Sequence, residues 1–453
     1  MTARYRHPIQ ARRAPATAAV TLAAAVTVLL TACTSAPTGT STNTPPGTSS
    51  DGSSSAGVTS SAGSSESLSG STTPGAASGA SSAGSSAVAP PSSAESSTAP
   101  PVTTSHVAPT VTDAPIIASP TTAAPITGVA VTGTIAAGLT TPWGLGFLPD
   151  GTALVTERDT GKLLAIAAGS GHAVRTVGTV TGVVPGGEGG LLGLAVDPKA
   201  ATPTVYVYYT ASGDNRIARL TLNTGATKIT GQRDILTGIP KASVHNGGRI
   251  AIGPDGDLYI GTGDATDSDR AQQLDYLGGK ILRITLDGEP APGNPFRNAP
   301  LVYSYGHRNV QGLAFDARGR LWASEFGQSA YDELNLIKPG GNYGWPIVEG
   351  PSDNPKFVAP YKYWPTSDAS PSGLAVVGET AFMAALRGTR LWLIPLSGSP
   401  GATTPKAQLT GTYGRLRTVV VAPDGSLWLT TSNTDGRGDP KPGDDRILQL
   451  RTD

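Results

Sequence analysis

One strand pattern, repeated six times between residues 144 and 450, restricts this chain to very few architectures. Each copy reads as a strand, a turn, a second strand and then a third. The first strands are Gly144–Leu148, Leu192–Val196, Gly248–Ile252, Gln311–Phe315, Ser372–Val376 and Arg417–Val421. The second are Thr152–Thr156, Thr204–Tyr208, Asp257–Gly261, Arg320–Ser324, Thr380–Ala384 and Ser426–Thr430. The third are Lys162–Ile166, Arg216–Leu220, Lys280–Ile284, Asp332–Leu336, Arg390–Ile394 and Arg446–Leu450. Several first turns carry Asp-Gly (Asp150-Gly151, Asp255-Gly256, Asp424-Gly425), the strongest short hairpin signal between apolar runs. A strand-built repeat of roughly 50 residues signifies a β-propeller, and no useful helical period runs through this region. The expectation is all-β: a six-bladed β-propeller of four-stranded antiparallel blades over residues 126–453. The sixth blade lacks a fourth strand of its own. Ile126–Ile135, ahead of the first blade, is expected to fill that slot, pin the termini together and remove an open sheet edge.

Upstream the composition changes. Residues 1–32 combine Arg4, Arg6, Arg12 and Arg13 with an apolar run from Ala18 to Leu30. A basic start followed by a short apolar core is an export signal rather than a stable span. Leu30-Thr-Ala-Cys33 matches a bacterial lipobox, so Cys33, the chain's one cysteine, is the expected lipidation site. Acylation there supplies enough methylenes for a firm anchor on the outer face of the bacterial cell membrane. Residues 33–125 are rich in Ser, Thr, Ala, Gly and Pro and nearly devoid of large apolar side chains. Such a stretch cannot bury enough surface to offset its ordering entropy, so a disordered tether is expected, with Ser and Thr open to glycosylation. The 33 basic residues balance the 33 acidic ones. That balance gives no support for a nucleic-acid partner, and basic patches with aromatic ladders are missing.

In a propeller, the loops entering first strands and leaving second strands share one face around the central channel. The unusual residues collect there: Trp143, Glu188, His245, Arg308-Asn309 and Arg415 to Arg417 on entry, and Glu157-Arg158, Asp264, Gly327-Gln328 and Arg387 on exit. The third hairpin brings His245 and Asp264 together, and a histidine beside a carboxylate is a general base with an orienting partner. Arg415 and Arg417, two apart on a strand, point to the same side. A basic ring with one His–Asp pair suits a small, multiply anionic ligand. A hydrolase is the weaker reading, since no serine sits in a nucleophile elbow.

Over residues 129–453 the chain resembles the soluble quinoprotein glucose dehydrogenases and the related aldose sugar and sorbosone dehydrogenases. The likeness rests on Gly187-Glu-Gly-Gly-Leu-Leu192, His245-Asn-Gly-Gly-Arg249, Tyr305-Gly-His-Arg-Asn-Val-Gln-Gly312, Asp332-Glu-Leu-Asn335, Gly341-Asn-Tyr-Gly-Trp-Pro346 and Arg415-Leu-Arg417, in that order. The resemblance implies pyrroloquinoline quinone (PQQ) and calcium as cofactors, a small sugar as substrate and an external electron acceptor. It implies that His245 takes the proton from the anomeric hydroxyl, that Asp264 orients it, and that Arg308 stabilises charge on the quinone oxygen. Asn309, Arg415 and Arg417 would hold PQQ, the arginines through its carboxylates. The carbonyls of Gly327 and Gln328 would hold the calcium beside PQQ, and Glu333 with Tyr343 a second, structural calcium.

Three positions depart from the pattern. Glu188 stands at a cofactor-facing position where the dehydrogenases commonly carry glutamine, and a carboxylate beside an anionic cofactor costs Coulomb energy unless it is paired. Arg387 replaces a cofactor-binding lysine, keeping the charge, and Gln328 replaces a proline whose backbone oxygen is the ligand. The alternative is a non-catalytic envelope propeller that binds a glycan or protein partner, in which a neighbouring arginine neutralises Glu188.

Overall fold

The computed structural model describes residues 125–453, and nearly all of its regular structure is strand. Cys33, the export signal and the Ser/Thr-rich stretch as far as residue 124 lie outside the described residues. After β1 (Val129–Ala136), the strands fall into six four-stranded antiparallel sheets. Blade 1 is β2 (Pro142–Phe147), β3 (Ala153–Glu157), β4 (Lys162–Ile166) and β5 (Val174–Thr179). Blade 2 is β6 (Leu191–Val196), β7 (Thr204–Thr210), β8 (Asn215–Leu222) and β9 (Ile229–Ile239). Blade 3 is β10 (Ile250–Ile252), β11 (Leu258–Gly261), β12 (Lys280–Ile284) and β13 (Val302–Tyr305). Blade 4 is β14 (Val310–Phe315), β15 (Leu321–Glu325), β16 (Tyr331–Ile337) and β17 (Lys362–Pro365). Blade 5 is β18 (Pro371–Val377), β19 (Thr380–Ala385), β20 (Arg390–Pro395) and β21 (Lys406–Gln408). Blade 6 joins β22 (Leu416–Val421), β23 (Leu427–Thr431) and β24 (Ile447–Thr452) to β1, in the order β1-β24-β23-β22.

The first strands pack against one another in a closed circle, β2 on β6, β6 on β10, β10 on β14, β14 on β18, β18 on β22 and β22 on β2. The fold is therefore the six-bladed propeller that the repeat predicts, closed by the N-terminal strand, with Val131 opposite Leu450. One apolar cluster fills each gap between neighbouring blades, for example Leu154, Leu163, Leu191 and Val207 between blades 1 and 2. Each sheet is thus covered on both faces. That is why its strands read as apolar runs rather than strict alternation.

Two local details differ from the sequence reading. The strand predicted at Gly248 begins only at Ile250, because Gly247 and Gly248 run at positive φ (63° and 110°) into the pairing. A short 3-10 helix, Ser268–Gln272, interrupts the link between β11 and β12. It was illegible because a five-residue turn carries no measurable helical period.

In five blades the register of the first strand against the second shifts near its upper end, at Pro142/Leu145, Leu191/Leu194, Val310/Gly312, Pro371/Leu374 and Leu416/Val419. A bulge of this kind re-aims the side chains within it. Trp143, Gln311, Ser372 and Arg417 all lie inside these shifts. They meet Arg249 to plug the channel: Arg249 Nε donates to the Gln311 carbonyl (2.8 Å), Ser372 Oγ to Gln311 Oε1 (3.0 Å), and the Arg249 guanidinium lies 4.2 Å from the Trp143 ring centre.

Candidate active site

His245 and Asp264 occupy the two ends of the β10–β11 hairpin, and the fold closes them into one unit. His245 Nδ1 lies 2.8 Å from Asp264 Oδ1. Asp264 Oδ2 accepts the indole N–H of Trp345 at 2.8 Å, and Oδ1 also accepts the Thr266 N–H. The Asp264 side chain is 1% exposed and that of His245 is 17%, so the imidazole keeps an edge open to solvent while its partner is sealed behind it. Burial alone would raise the Asp264 pKa, but the hydrogen bond and charge of His245, with the Thr266 and Trp345 bonds, hold it below the ordinary value. An ionised Asp264 accepts Nδ1–H and leaves Nε2 as the free acceptor, the tautomer that a general base requires.

Arg308 and Asn309 are brought to the same place from blade 4. The Asp264 N–H donates to the Arg308 carbonyl at 2.8 Å, and Gly263 bridges Asn309. Asn309 Oδ1 accepts the Gly247 N–H at 2.9 Å, and Arg308 N–H donates to Glu325 Oε2 at 3.0 Å. Behind them His307 is buried between Ser304 and Glu325 and stacked on Tyr343, so it is a packing element. Two donors are left over. Arg308 Nε and Asn309 Nδ2 are buried without a hydrogen-bond partner. Burial holds the Arg308 pKa below its usual range. Orphaned buried donors are costly and rare, and a pair of them on adjacent residues is a place built for an acceptor-rich ligand.

On the opposite wall Arg415 and Arg417 converge on Asp435. Arg415 Nη2 and Arg417 Nη2 lie 2.9 and 3.2 Å from its Oδ2. Burial lowers Arg417 to about 10 and, with the charge of Arg417, lowers Arg249 to about 9, so both remain cationic at neutral pH. Glu188 crosses the mouth: Oε2 accepts the His245 N–H at 2.9 Å and Oε1 takes Arg437 Nη1 at 2.7 Å. A narrow crevice lies among Trp143, Glu188, Gln311, Arg415, Arg417 and Arg437. It adjoins an open cleft that Arg387 lines together with Arg415 and Arg437, with Arg387 exposed at the rim.

The loop at Gly327-Gln328 is wrapped around a carboxylate. The N–H groups of Gln328, Ser329, Ala330 and Tyr331 all donate to Glu349 Oε1, at 2.7, 2.9, 2.9 and 3.1 Å, and Gly327 N–H donates to Asp332 Oδ1. In a trans peptide C=O and N–H are antiparallel. With the N–H groups of Gln328 and Ser329 turned to Glu349, the carbonyls of Gly327 and Gln328 must point away from it. Glu333 lines a separate small crevice with Gly327, Arg308 and Tyr343. Burial, and then the neighbouring Glu325, push the Glu333 carboxyl well above its ordinary range. The Tyr343 hydroxyl is committed, donating to the Leu336 carbonyl and accepting the Lys338 N–H, so only its backbone oxygen is available to a cation.

The sequence reading therefore located His245, Asp264, Arg308, Asn309, Arg387, Arg415 and Arg417 on one face, gave Arg249 and Trp345 no role although their motifs were noted, and missed Asp435, Arg437 and Glu349. Asp435 was within reach: it leaves the second strand of blade 6 as Asp264 leaves that of blade 3. Arg437 and Glu349 carry no signal of that kind, because their partners lie in other segments of the chain.

Comparison with known proteins points to one family. A family model described as glucose / sorbosone dehydrogenase matches residues 139–440. Quinoprotein glucose dehydrogenase B of Acinetobacter calcoaceticus is 37% identical over 259 residues, 49% of this chain and 54% of that protein. The chain thus spans about half the length of that enzyme. An aldose sugar dehydrogenase of Escherichia coli is 31% identical over 66% of this chain and 89% of its own length. Among solved structures, the PQQ-bound form of aldose sugar dehydrogenase from Streptomyces coelicolor is 53% identical, covers 72% of this chain and 98% of that one, and superposes with a TM-score of 0.70.

Proposed function

The chain belongs to the glucose/sorbosone dehydrogenase family, and from that membership we propose that it oxidises the anomeric hydroxyl of an aldose with PQQ as the electron acceptor. The observation that carries this reading is the His245–Asp264 pair facing a wall on which Arg308 and Asn309 hold unpaired donors. Oxidising an alcohol to a carbonyl removes a proton from oxygen and a hydride from carbon. His245 Nε2 takes the proton, and Asp264 stabilises the imidazolium that results. Bound PQQ supplies the two-electron acceptor for the hydride. Arg308 and Asn309 meet its oxygens with donors that are already oriented and desolvated, which is where such donors contribute most. Arg415 and Arg417, with Arg387 at the rim, match its carboxylates. The outward carbonyls of Gly327 and Gln328 suit calcium, a hard cation that prefers oxygen, and Glu333 with the Tyr343 carbonyl suits a second.

A glycan- or partner-binding propeller accounts for the neutralised Glu188. It leaves the two orphaned donors beside a general base without a purpose. Addition of PQQ and calcium to the purified protein is expected to give dye-linked oxidation of aldoses, the dye serving as the external acceptor. A panel of aldoses with no dye reduction after saturation with both would reject the assignment. The basic and apolar pattern over 1–32 and the lipobox at Cys33 support an activity outside the cytoplasm, lipid-anchored through the 33–125 tether. Cys33→Ala is expected to move the protein from the membrane fraction to the medium; equal membrane retention would remove the anchor from the account.

A further inference from the structure

Glu188 is an acid set among arginines, and it faces two ways. Gly187 delivers it at φ 58°, where any Cβ would collide with the Ser243 carbonyl, and the Glu188 N–H donates to that same carbonyl at 2.8 Å. One carboxylate oxygen then holds the backbone N–H of His245 (2.9 Å), and the other holds Arg437 (2.7 Å) of blade 6, 249 residues away. Both attachments matter physically. His245 sits at φ 59°, a region that residues with side chains seldom occupy, so its backbone stays there only when something holds it. Arg437 belongs to the loop that carries Asp435, and its own N–H donates to Asp435 Oδ1 at 3.0 Å. The Arg437 side chain is 54% exposed, and an ion pair that open contributes little to fold stability. Its effect lies instead in the charge of the cavity. The field of Glu188 reaches Arg308 on one wall and Arg417 on the other, favouring the charged form of both.

We propose that Glu188 and Arg437 form a neutral clasp across the channel mouth, in which Glu188 positions the general base through the His245 backbone and Arg437 cancels the repulsion between that carboxylate and an anionic cofactor. The clasp rests on the reading of the cavity as a PQQ site. It explains how an acid is tolerated beside a site for an anionic cofactor: its counter-ion comes from a loop of blade 6. Glu188 and Arg437 are positioning residues, and neither is required to touch the sugar.

The sign of each charge gives the test. PQQ is titrated optically into cofactor-free wild type, Glu188→Gln, Arg437→Gln and the double variant. Arg437→Gln leaves a bare carboxylate and is expected to weaken PQQ binding by about tenfold. Glu188→Gln is expected to bind at least as tightly as wild type, and the double variant to return to within about threefold of it. A double variant as weak as Arg437→Gln would show that Arg437 acts by packing or direct contact, and would overturn the charge role. The positioning role is read without cofactor, from hydrogen exchange of the His245 amide. Glu188→Ala should speed that exchange at least tenfold, while Glu188→Gln, which keeps an acceptor oxygen, should restore protection. Unchanged exchange in Glu188→Ala would overturn it. Wild type that takes up no PQQ would defeat the proposed function and the charge role together, and the amide measurement would still decide the positioning role.

Discussion

Asp435 shows what a single residue contributes when two cations depend on it. Arg415 and Arg417 both lie within 3.2 Å of its Oδ2, and its side chain is 2% exposed. Asp435→Asn would leave a buried guanidinium without its counter-charge, a loss of about 3 kcal/mol in the cofactor-free protein, measurable by urea unfolding. The same residue sets a pH dependence, shared with Asp264. For each, burial alone would raise the pKa. The charges of Arg417 and Arg415 outweigh it at Asp435, and His245 outweighs it at Asp264, so both titrate below the ordinary value. A carboxylate depressed in the folded state takes up its proton more readily when unfolded. Its stabilisation is complete above a pH of about 4 and is lost as pH falls through the folded value. The Tm of the cofactor-free protein should therefore hold between pH 7 and 5 with respect to these groups and fall below about pH 4. Asp435→Asn should show a shallower acid fall, and an unchanged fall would exclude Asp435 as its source.

At the scale of elements, the hairpins explain why so much of the fold was legible. The Asp-Gly signals proved to be Pro-Asp-Gly in every case, with glycine at φ 85°, 86° and 82° for Gly151, Gly256 and Gly425. The Asp side chain accepts the N–H two residues on, as Asp150 does for Thr152 at 2.8 Å. These turns are local, so the sequence states them in full. Gly256 has open space where a Cβ would go, so Gly256→Ala isolates the backbone cost: about 1–2 kcal/mol of stability, seen as a lower Tm with unchanged cofactor affinity. A wild-type Tm would mean that the turn relaxes to another conformation. The upper ends of the first strands were less legible. Their bulges turn Trp143, Gln311, Ser372 and Arg417 into the channel, and nothing in a period-2 pattern announces where an extra residue enters one strand of a pair.

At the scale of the whole molecule, the propeller is a device for convergence. Closing the ring brings His245 from blade 3, Arg308 from blade 4 and Arg417 from blade 6 to one face, the first two from the loops entering their first strands and Arg417 from a first strand itself. Residues aligned by the repeat could be foreseen: their position in one blade gives their place on the common face. Pairs that exist only because the ring closes, such as Glu188 with Arg437 and Arg417 with Gln311, could not be foreseen, because neither partner's neighbourhood names the other. The claim that depends on the whole arrangement is that this face holds a quinone and a sugar on either side of one transferred hydride, with His245 as the base. The most direct measurement is the absorbance of PQQ bound to the calcium-loaded protein, followed after a single addition of aldose, in wild type and in His245→Ala. The account predicts prompt loss of the oxidised-quinone absorbance in wild type. It predicts equal cofactor binding in His245→Ala, with reduction slowed by about 10²–10⁴-fold. Bound quinone that aldose leaves oxidised in wild type, or that His245→Ala reduces at the wild-type rate, would contradict it.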